Sequence, residues 1–241
     1  MNPDLSIIIP CFNEATNITI VLQQLKKIVE QSIYFIEVIV IDGGSTDSTA
    51  QELEELFKIL PDENFKLILN KTRQGYGADI NQALSIATGN ILSWTHADMQ
   101  TDPQDIIKAL ELYKKNEDKN IIVKGKRKNR KLSEAFFTFG MQIIVLLLLK
   151  KYLTDINAQP KLFSKNFYDK YIKNNAPSDF SLDLYLLYQA RINNYQILEI
   201  PVYFKKRLHG EAKGGGSFKT KIKLIIRTFK YIVQIKNNNI I

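Results

Sequence analysis

His96, Asp98 and Gln100 stand on alternate residues just after the apolar run Ile91-Leu92-Ser93-Trp94. On an extended backbone alternate side chains point the same way. An imidazole, a carboxylate and an amide would then face one hard cation together. Asp102 and Pro103 follow as the cap and first turn of a new helix. Strand, ligand cluster, helix start is the order found at the carboxyl edge of an open sheet. An Asp-rich turn is the plainer reading of the same residues, and the rest of the chain must decide.

The elements that would position this cluster run in alternation. Leu5 to Pro10 is a compact β-branched run and predicts a buried parallel strand. A turn through Cys11-Phe12-Asn13-Glu14 leads to a helix from about Ala15 to Glu30, with Ile18, Val21, Leu22, Leu25 and Ile28 at helical spacing. A second strand, Ile36 to Ile41, ends in Asp42-Gly43-Gly44-Ser45-Thr46-Asp47, where two glycines permit a tight turn and Ser45 to Asp47 can cap a helix. A third strand, Phe65 to Leu69, passes through a loop holding Gly75 and Gly77 into a helix ending near Ala87. This β-α-β-α order predicts a doubly wound, mostly parallel α/β sheet. Phe12, Asp42 and Asp98 all fall at strand carboxyl ends, where such a sheet binds its ligand.

Further along, Asp105 to Tyr113 predicts a helix and Asn120 to Val123 a strand that runs into the basic stretch Lys124 to Lys131. That stretch is either a solvated loop or an anion contact. The mostly apolar segment 132–153 is too short in its uncharged part for the roughly 18–20 residues that span a bilayer. It is open as a buried core helix or as a helix in the membrane interface. After the stretch Asp155 to Phe163 a short edge strand and a helix are expected, and Asp179 to Asp183 then opens an apolar helix. Ile197 to Phe204 carries Pro201 and predicts a further edge strand. The glycine-rich cationic segment Lys205 to Ser217 offers Arg207 and Lys213 to close over phosphates. Phe218 to Lys236 is a basic amphipathic helix, which either binds a membrane surface or docks back on the domain. The expected division is 1–217 for the α/β domain and 218–241 for this helix.

A net charge of +8 from Lys+Arg 33 against Asp+Glu 25 favours an anionic partner, whether nucleotide, phospholipid surface or nucleic acid. Nucleic acid fits poorly, because few stacking aromatics interleave with the basic residues. The single Cys11 excludes an internal disulfide framework and fits a reducing compartment. Met1 to Asp4 lacks the basic region of a secretory leader, so a cytoplasmic location is expected.

Ser6-Ile7-Ile8-Ile9-Pro10-Cys11-Phe12-Asn13-Glu14, Val40-Ile41-Asp42-Gly43-Gly44-Ser45-Thr46-Asp47 and Ala97-Asp98-Met99-Gln100 resemble the family 2 glycosyltransferases of the GT-A (Rossmann-like) fold, and most closely the polyprenyl-phosphate branch that includes dolichol-phosphate mannose synthase. The resemblance covers roughly residues 4 to 215. It implies a UDP- or GDP-linked sugar donor, a divalent Mg²⁺ or Mn²⁺, and inversion at the anomeric carbon. Pro10, Phe12 and Glu14 would then line the base and ribose, and Asp42 would bond one of them. Gly75 and Gly77 would let the following helix approach the nucleotide. Asp98, with Gln100 and His96, would hold the metal. Arg127 would meet the donor, and Arg207 and Lys213 would grip a phosphate. Asp183 falls near the family's acidic acceptor-side position, as a base or an acceptor-positioning group; a helix-capping role explains it equally well.

The chain departs from the family pattern at three places. His96 replaces the first acidic residue of the usual Asp-x-Asp, which removes a negative charge from the metal side. Gln159-Pro160-Lys161 replaces the usual Gly-Phe-Arg. There is also no pair of transmembrane segments after the domain, so attachment to the inner face of the cell membrane is expected to be peripheral. The expected acceptor is a polyprenyl phosphate, whose anionic oxygen needs little base assistance, whereas a saccharide or glycolipid hydroxyl in cell-envelope polysaccharide synthesis needs a general base. A catalytically silent module that binds nucleotide and membrane is the remaining alternative, motivated by His96.

Overall fold

The computed structural model describes residues 2–59, 63–116, 120–129, 132–205 and 218–237, the side chains of 132–138, 218–225 and 237 aside. The first half alternates β1 (Leu5–Cys11), α1 (Ala15–Gln31), β2 (Ile36–Asp42), α2 (Thr49–Ile59), β3 (Phe65–Leu69), α3 (Tyr76–Ile86), β4 (Ile91–Trp94) and α4 (Gln104–Lys114). The second half carries β5 (Ile121–Lys128), α5 (Leu132–Leu149), β6 (Lys161–Ser164), α6 (Lys165–Phe167, continued by a π-helical turn to Ile172), α7 (Leu182–Ile192), β7 (Gln196–Tyr203) and α8 (Phe218–Asn237).

The strands form one seven-stranded sheet in the order β3-β2-β1-β4-β6-β5-β7. β3, β2, β1 and β4 run parallel, and β6 is antiparallel to both β4 and β5. Alternation along β1 shows why the sheet is covered on both faces. Leu5, Ile7, Ile9 and Cys11 pack with α1 and α4, whereas Ile8 packs on the opposite face with Ile80 and Leu84 of α3. That second face also takes Val145 and Leu149 of α5, most of α7, and Ile232 and Ile235 of α8.

Two strand assignments change. β6 is interior, with β4 on one side and β5 on the other. It starts at Lys161, earlier than the edge strand expected after Phe163, and Lys161, Leu162 and Phe163 are fully buried, the lysine having hidden an interior strand. β5 also continues beyond Val123 through the basic stretch to Lys128, because β7 pairs with it along its whole length. β7 itself is an edge strand, where Pro201 removes no needed ladder donor.

Neither helix left open by the sequence is wholly buried. α5 buries Val145 and Leu149 but exposes Phe139 and Leu147 at 59% and 71%. α8 docks through Ile232 and Ile235 and packs against α5, while Ile226 and Phe229 stay exposed. Among the described residues no helix is long and apolar enough to cross a membrane.

Candidate active site at the strand carboxyl ends

The parallel register of β2, β1 and β4 brings three loops to one edge of the sheet. Cys11 and Asp42 are partners across β1 and β2, and the Gly43 amide donates to the Cys11 carbonyl at 2.9 Å. The two loops that follow are stitched together. The Asn13 amide donates to Ser45 Oγ, the Thr46 amide donates to Asn13 Oδ1, each at 2.8 Å, and the Glu14 amide donates to Thr49 Oγ1 at 2.9 Å. Asp42 is buried and accepts the amides of Gly44 and Ser45 together with the Ser45 hydroxyl, so its carboxylate shapes the turn it begins. Glu14 is buried and accepts the side-chain amide of Asn17 at 2.8 Å. Pro10 and Phe12 remain half-buried, and the Arg73 guanidinium lies 4.1 Å from the centre of the Phe12 ring.

Asp79 belongs to this edge although the sequence reading passed over it. Its carboxyl fills the space a side chain at 43 would need: a Cβ on Gly43 would lie 2.4 Å from Asp79 Oδ2. Burial pushes the Asp79 carboxyl up, Asn70 draws it down by donating at 3.2 Å, and neighbouring Asp42 raises it again, to about 6. The signal available in the sequence was the Gly43-Gly44 pair, which makes room for something close by.

The chain leaves the extended conformation after Trp94, and Met99 takes a left-handed φ of 59°. His96, Asp98 and Gln100 therefore do not share a face by strand alternation. A compact loop holds them instead, with the Gln100 amide donating to Asp98 Oδ1 at 3.1 Å. Gln100 is also tied to the far end of β7: its side-chain amide donates to the Lys205 carbonyl at 3.3 Å, and the Lys205 amide donates to the Gln100 carbonyl at 2.9 Å. Lys205, the last described residue before position 206, thus lies beside this loop. Arg207 and Lys213 themselves lie outside the described residues. Among the described residues, no group of three or more His, Cys, Asp or Glu side chains gathers to hold a metal.

The close approach that Gly75 and Gly77 permit is to the chain's own backbone. Gly75 has φ 121°, and a Cβ at Gly77 would lie 2.4 Å from the Pro177 carbonyl oxygen and 2.6 Å from that of Asp179. The start of α3 is thereby clamped to the lead-in of α7. Between the two glycines, Tyr76 stacks on Phe180 with ring centres 4.8 Å apart and lies 6.3 Å from the His96 ring. Asp183 is buried beneath it and bonds to Tyr76, Gln159 and Lys161 rather than capping its helix.

The basic stretch of β5 is largely spent on internal partners. Lys124 and Lys126 both pair with Glu199, and Arg127 binds Asp155 through its backbone amide, Nε and Nη2. Arg127 also reaches to 5.6 Å from the Phe204 ring. Sequence reading could not see these partners, because each acid lies far along the chain.

A mostly parallel sheet with one antiparallel strand inserted, its loops gathered over Asp42 and Asp98, has the architecture of the GT-A fold. Residues 6–172 match the model of Glycosyl transferase family 2, and the chain belongs to that family. It is 25% identical over 213 residues to the dolichyl-phosphate beta-glucosyltransferase of Dictyostelium discoideum, covering 82% of this chain and 65% of that protein. It is also 25% identical over 211 residues to the undecaprenyl-phosphate 4-deoxy-4-formamido-L-arabinose transferase of Pseudomonas fluorescens, covering 86% of this chain and 59% of that one. The chain thus spans less than two thirds of the length of these two relatives. The fold is shared with glucosyl-3-phosphoglycerate synthase of Mycobacterium tuberculosis, solved with Mn²⁺, UDP and glucosyl-3-phosphoglycerate (TM-score 0.71, 15% identity, 97% of this chain and 80% of that one). It is shared too with a mannosyltransferase of Pyrobaculum calidifontis solved with GDP-mannose and Mn²⁺ (TM-score 0.67, 19% identity, 97% and 65%).

Proposed function

We propose that the protein is an inverting glycosyltransferase that moves a sugar from a UDP- or GDP-linked donor to a polyprenyl phosphate at the cytoplasmic face of a membrane. The observation that carries this reading is the gathering of Phe12, Asp42 and Asp98 at one sheet edge by the parallel register of β1, β2 and β4. Phe12, with Pro10, offers an apolar wall to the base and ribose. Asp42 and Glu14 hold the surrounding turns. The names of the two curated relatives, each a transferase acting on a polyprenyl phosphate, support the acceptor.

Asp98 and His96 offer oxygen and nitrogen donors of the kind that would hold a divalent ion. Gln100 orders that loop and is the weaker candidate ligand, since its side-chain amide is bonded to Lys205. Such an ion, when bound, offsets the negative charge that develops on the leaving diphosphate. The chain's own cations add to this. Arg207 and Lys213, which lie outside the described residues, are assigned to the phosphates on the family resemblance alone. Arg127 serves the donor side from its fixed pairing with Asp155. An oxygen of the lipid phosphate displaces the nucleoside diphosphate from the opposite face of the sugar, which inverts C1. Anionic lipid would meet the exposed apolar residues of α5 and α8 together with Arg227, Lys230 and Lys236.

The reading is tested by melting the protein with a panel of UDP- and GDP-sugars. A cognate donor raises Tm only with Mn²⁺ or Mg²⁺ present, and Asp98→Ala removes the rise. Unchanged melting across the whole panel and both metals would refute the donor site.

A further inference from the structure

Asp183 sits on the first turn of α7 at 3% exposure. Its Oδ1 accepts Lys161 Nζ and Gln159 Nε2, each at 3.0 Å, and its Oδ2 accepts the Tyr76 hydroxyl at 3.3 Å. Gln159 Nε2 also donates to the Tyr76 oxygen at 3.2 Å. Lys161 is fully buried and donates to the Ala158 carbonyl at 2.6 Å. Four side chains from α3, the turn before β6, β6 and α7 thus close one unit, buried except at the half-buried Tyr76.

A general base must reach its proton with a free lone pair. A buried carboxylate holding three donors, one of them an ammonium, is badly placed for that. The unit is also a costly way to gain stability, because desolvating both ions offsets much of their attraction and apolar residues of similar volume often serve better. Two buried atoms around it, Gln159 Oε1 and Ser181 Oγ, have no protein partner among the described residues, as expected where a polar ligand or water completes the site. On its outer side Tyr76 reaches toward His96.

We propose that Lys161 is a positioning residue: its ammonium locks the Asp183 carboxylate, which with Gln159 fixes the Tyr76 ring as the wall between the metal-side loop and the acceptor-side helix α7. Asp183 on this account orders the acceptor side and takes no proton from the acceptor. The inference deepens the glycosyl-transfer reading and rests on it. The charged and titratable groups facing Lys161 are Asp183 from α7, Lys124 from β5, Asp155 from the loop before β6, and Tyr76 from α3 through their shared carboxylate. Burial lowers the Lys161 ammonium, and Asp183 partly restores it, leaving it at about 8. The lock therefore opens as pH rises past that value.

Lys161→Met, Lys161→Arg, Asp183→Asn and the double variant Lys161→Met/Asp183→Asn are compared in transfer from the cognate nucleotide sugar to a short-chain polyprenyl phosphate, with Tm measured alongside. Wild-type kcat falls above pH about 8. Lys161→Met loses at least tenfold in kcat with donor KM unchanged, whereas Lys161→Arg recovers part of kcat and carries the alkaline fall to higher pH. The double variant regains Tm but not kcat. A double variant with wild-type kcat would reduce the pair to a structural role and overturn the proposal. So would an Asp183→Asn enzyme that is inactive while Lys161→Met is fully active, the pattern of a free base.

Failure of the wild type to transfer to any prenyl phosphate would refute the functional reading instead. The lock is then read without activity, by NMR titration of the Lys161 side chain. A midpoint near 8 that drops in Asp183→Asn supports it, and an ordinary lysine midpoint unmoved by that substitution overturns it.

Discussion

The Lys124 ammonium, buried at 1% side-chain exposure, lies 2.9 Å from Glu199 Oε1 across the β5–β7 pair. Glu199 also takes Lys126 at 2.7 Å and the Thr154 hydroxyl. Burial alone would raise the Glu199 carboxyl, but these three donors hold it down at about 2. A carboxylate depressed in the folded state contributes stability above its unfolded value, and that contribution is lost as pH falls toward its folded value. Glu199→Gln leaves Lys124 without its counter-charge and should cost about 3 kcal/mol at pH 7. It should also remove the part of the acid-side decline in unfolding free energy that lies between pH about 4.5 and 2. Urea unfolding against pH checks both; a variant as stable as wild type at pH 7 would contradict the pairing.

Asp79 predicts the opposite sign. Its carboxyl, raised by burial and by Asp42, titrates at about 6 in the folded protein. The native state therefore binds more protons than the unfolded chain between pH about 4 and 6, and stability falls as pH rises through that window. Asp79→Asn should stabilise the protein by on the order of 1–2 kcal/mol at pH 7.5 and by little at pH 4. The check is the difference in unfolding free energy at the two pH values, and equal differences would be inconsistent with a raised carboxyl.

Gly77 and Gly140 predict contrasting effects of the same substitution. Alanine at 77 drives a Cβ into the Pro177 and Asp179 carbonyls, forces α3 away from the lead-in to α7 and displaces Tyr76. Overpacking against backbone costs about 1–3 kcal/mol, and the donor-induced rise in Tm should shrink with it. Alanine at 140 meets nothing within 4 Å and should stabilise α5 by up to about 1 kcal/mol. Thermal melting of both variants checks the pair, and a stable Gly77→Ala would argue against the clamp.

The outward face of α5 and α8 predicts peripheral membrane binding. Phe139 and Leu147 of α5 and Phe229 of α8 are exposed, as are the α8 cations Arg227, Lys230 and Lys236. A Leu147→Asp/Phe229→Asp variant should float with vesicles of mixed anionic and zwitterionic lipid at least tenfold less than wild type, and wild type should bind purely zwitterionic vesicles weakly. Equal flotation of variant and wild type would exclude this face.

How far the sequence was legible follows from the range of the interactions. The β-α alternation, the edge position of β7 and the strand ends to within a residue, expected at Pro10, Ile41 and Trp94 and found at Cys11, Asp42 and Trp94, depend on local periodicity and punctuation readable from neighbours in the chain. Lys124 and Lys161 look like surface residues because the acids that neutralise them, Glu199 and Asp183, are remote in sequence, so the extension of β5 and the interior place of β6 stayed hidden. Tyr76 was equally hidden. Its one local hint, a tyrosine between two glycines, does not say that Asp183 and Gln159 wait on the far side. The loop at Asp98 was located by pattern, but its shape was misread, because Met99 breaks the extended backbone on which the alternation argument rested.

The central claim is tested most directly by incubating the protein with radiolabelled UDP- and GDP-sugars, a polyprenyl phosphate and Mn²⁺ or Mg²⁺, then extracting the product into organic solvent. The account predicts a labelled lipid, labile to mild acid, from a cognate donor, lost with a chelator and lost in Asp98→Ala. No labelled lipid from any donor, or a product undiminished by both the chelator and that substitution, would contradict it.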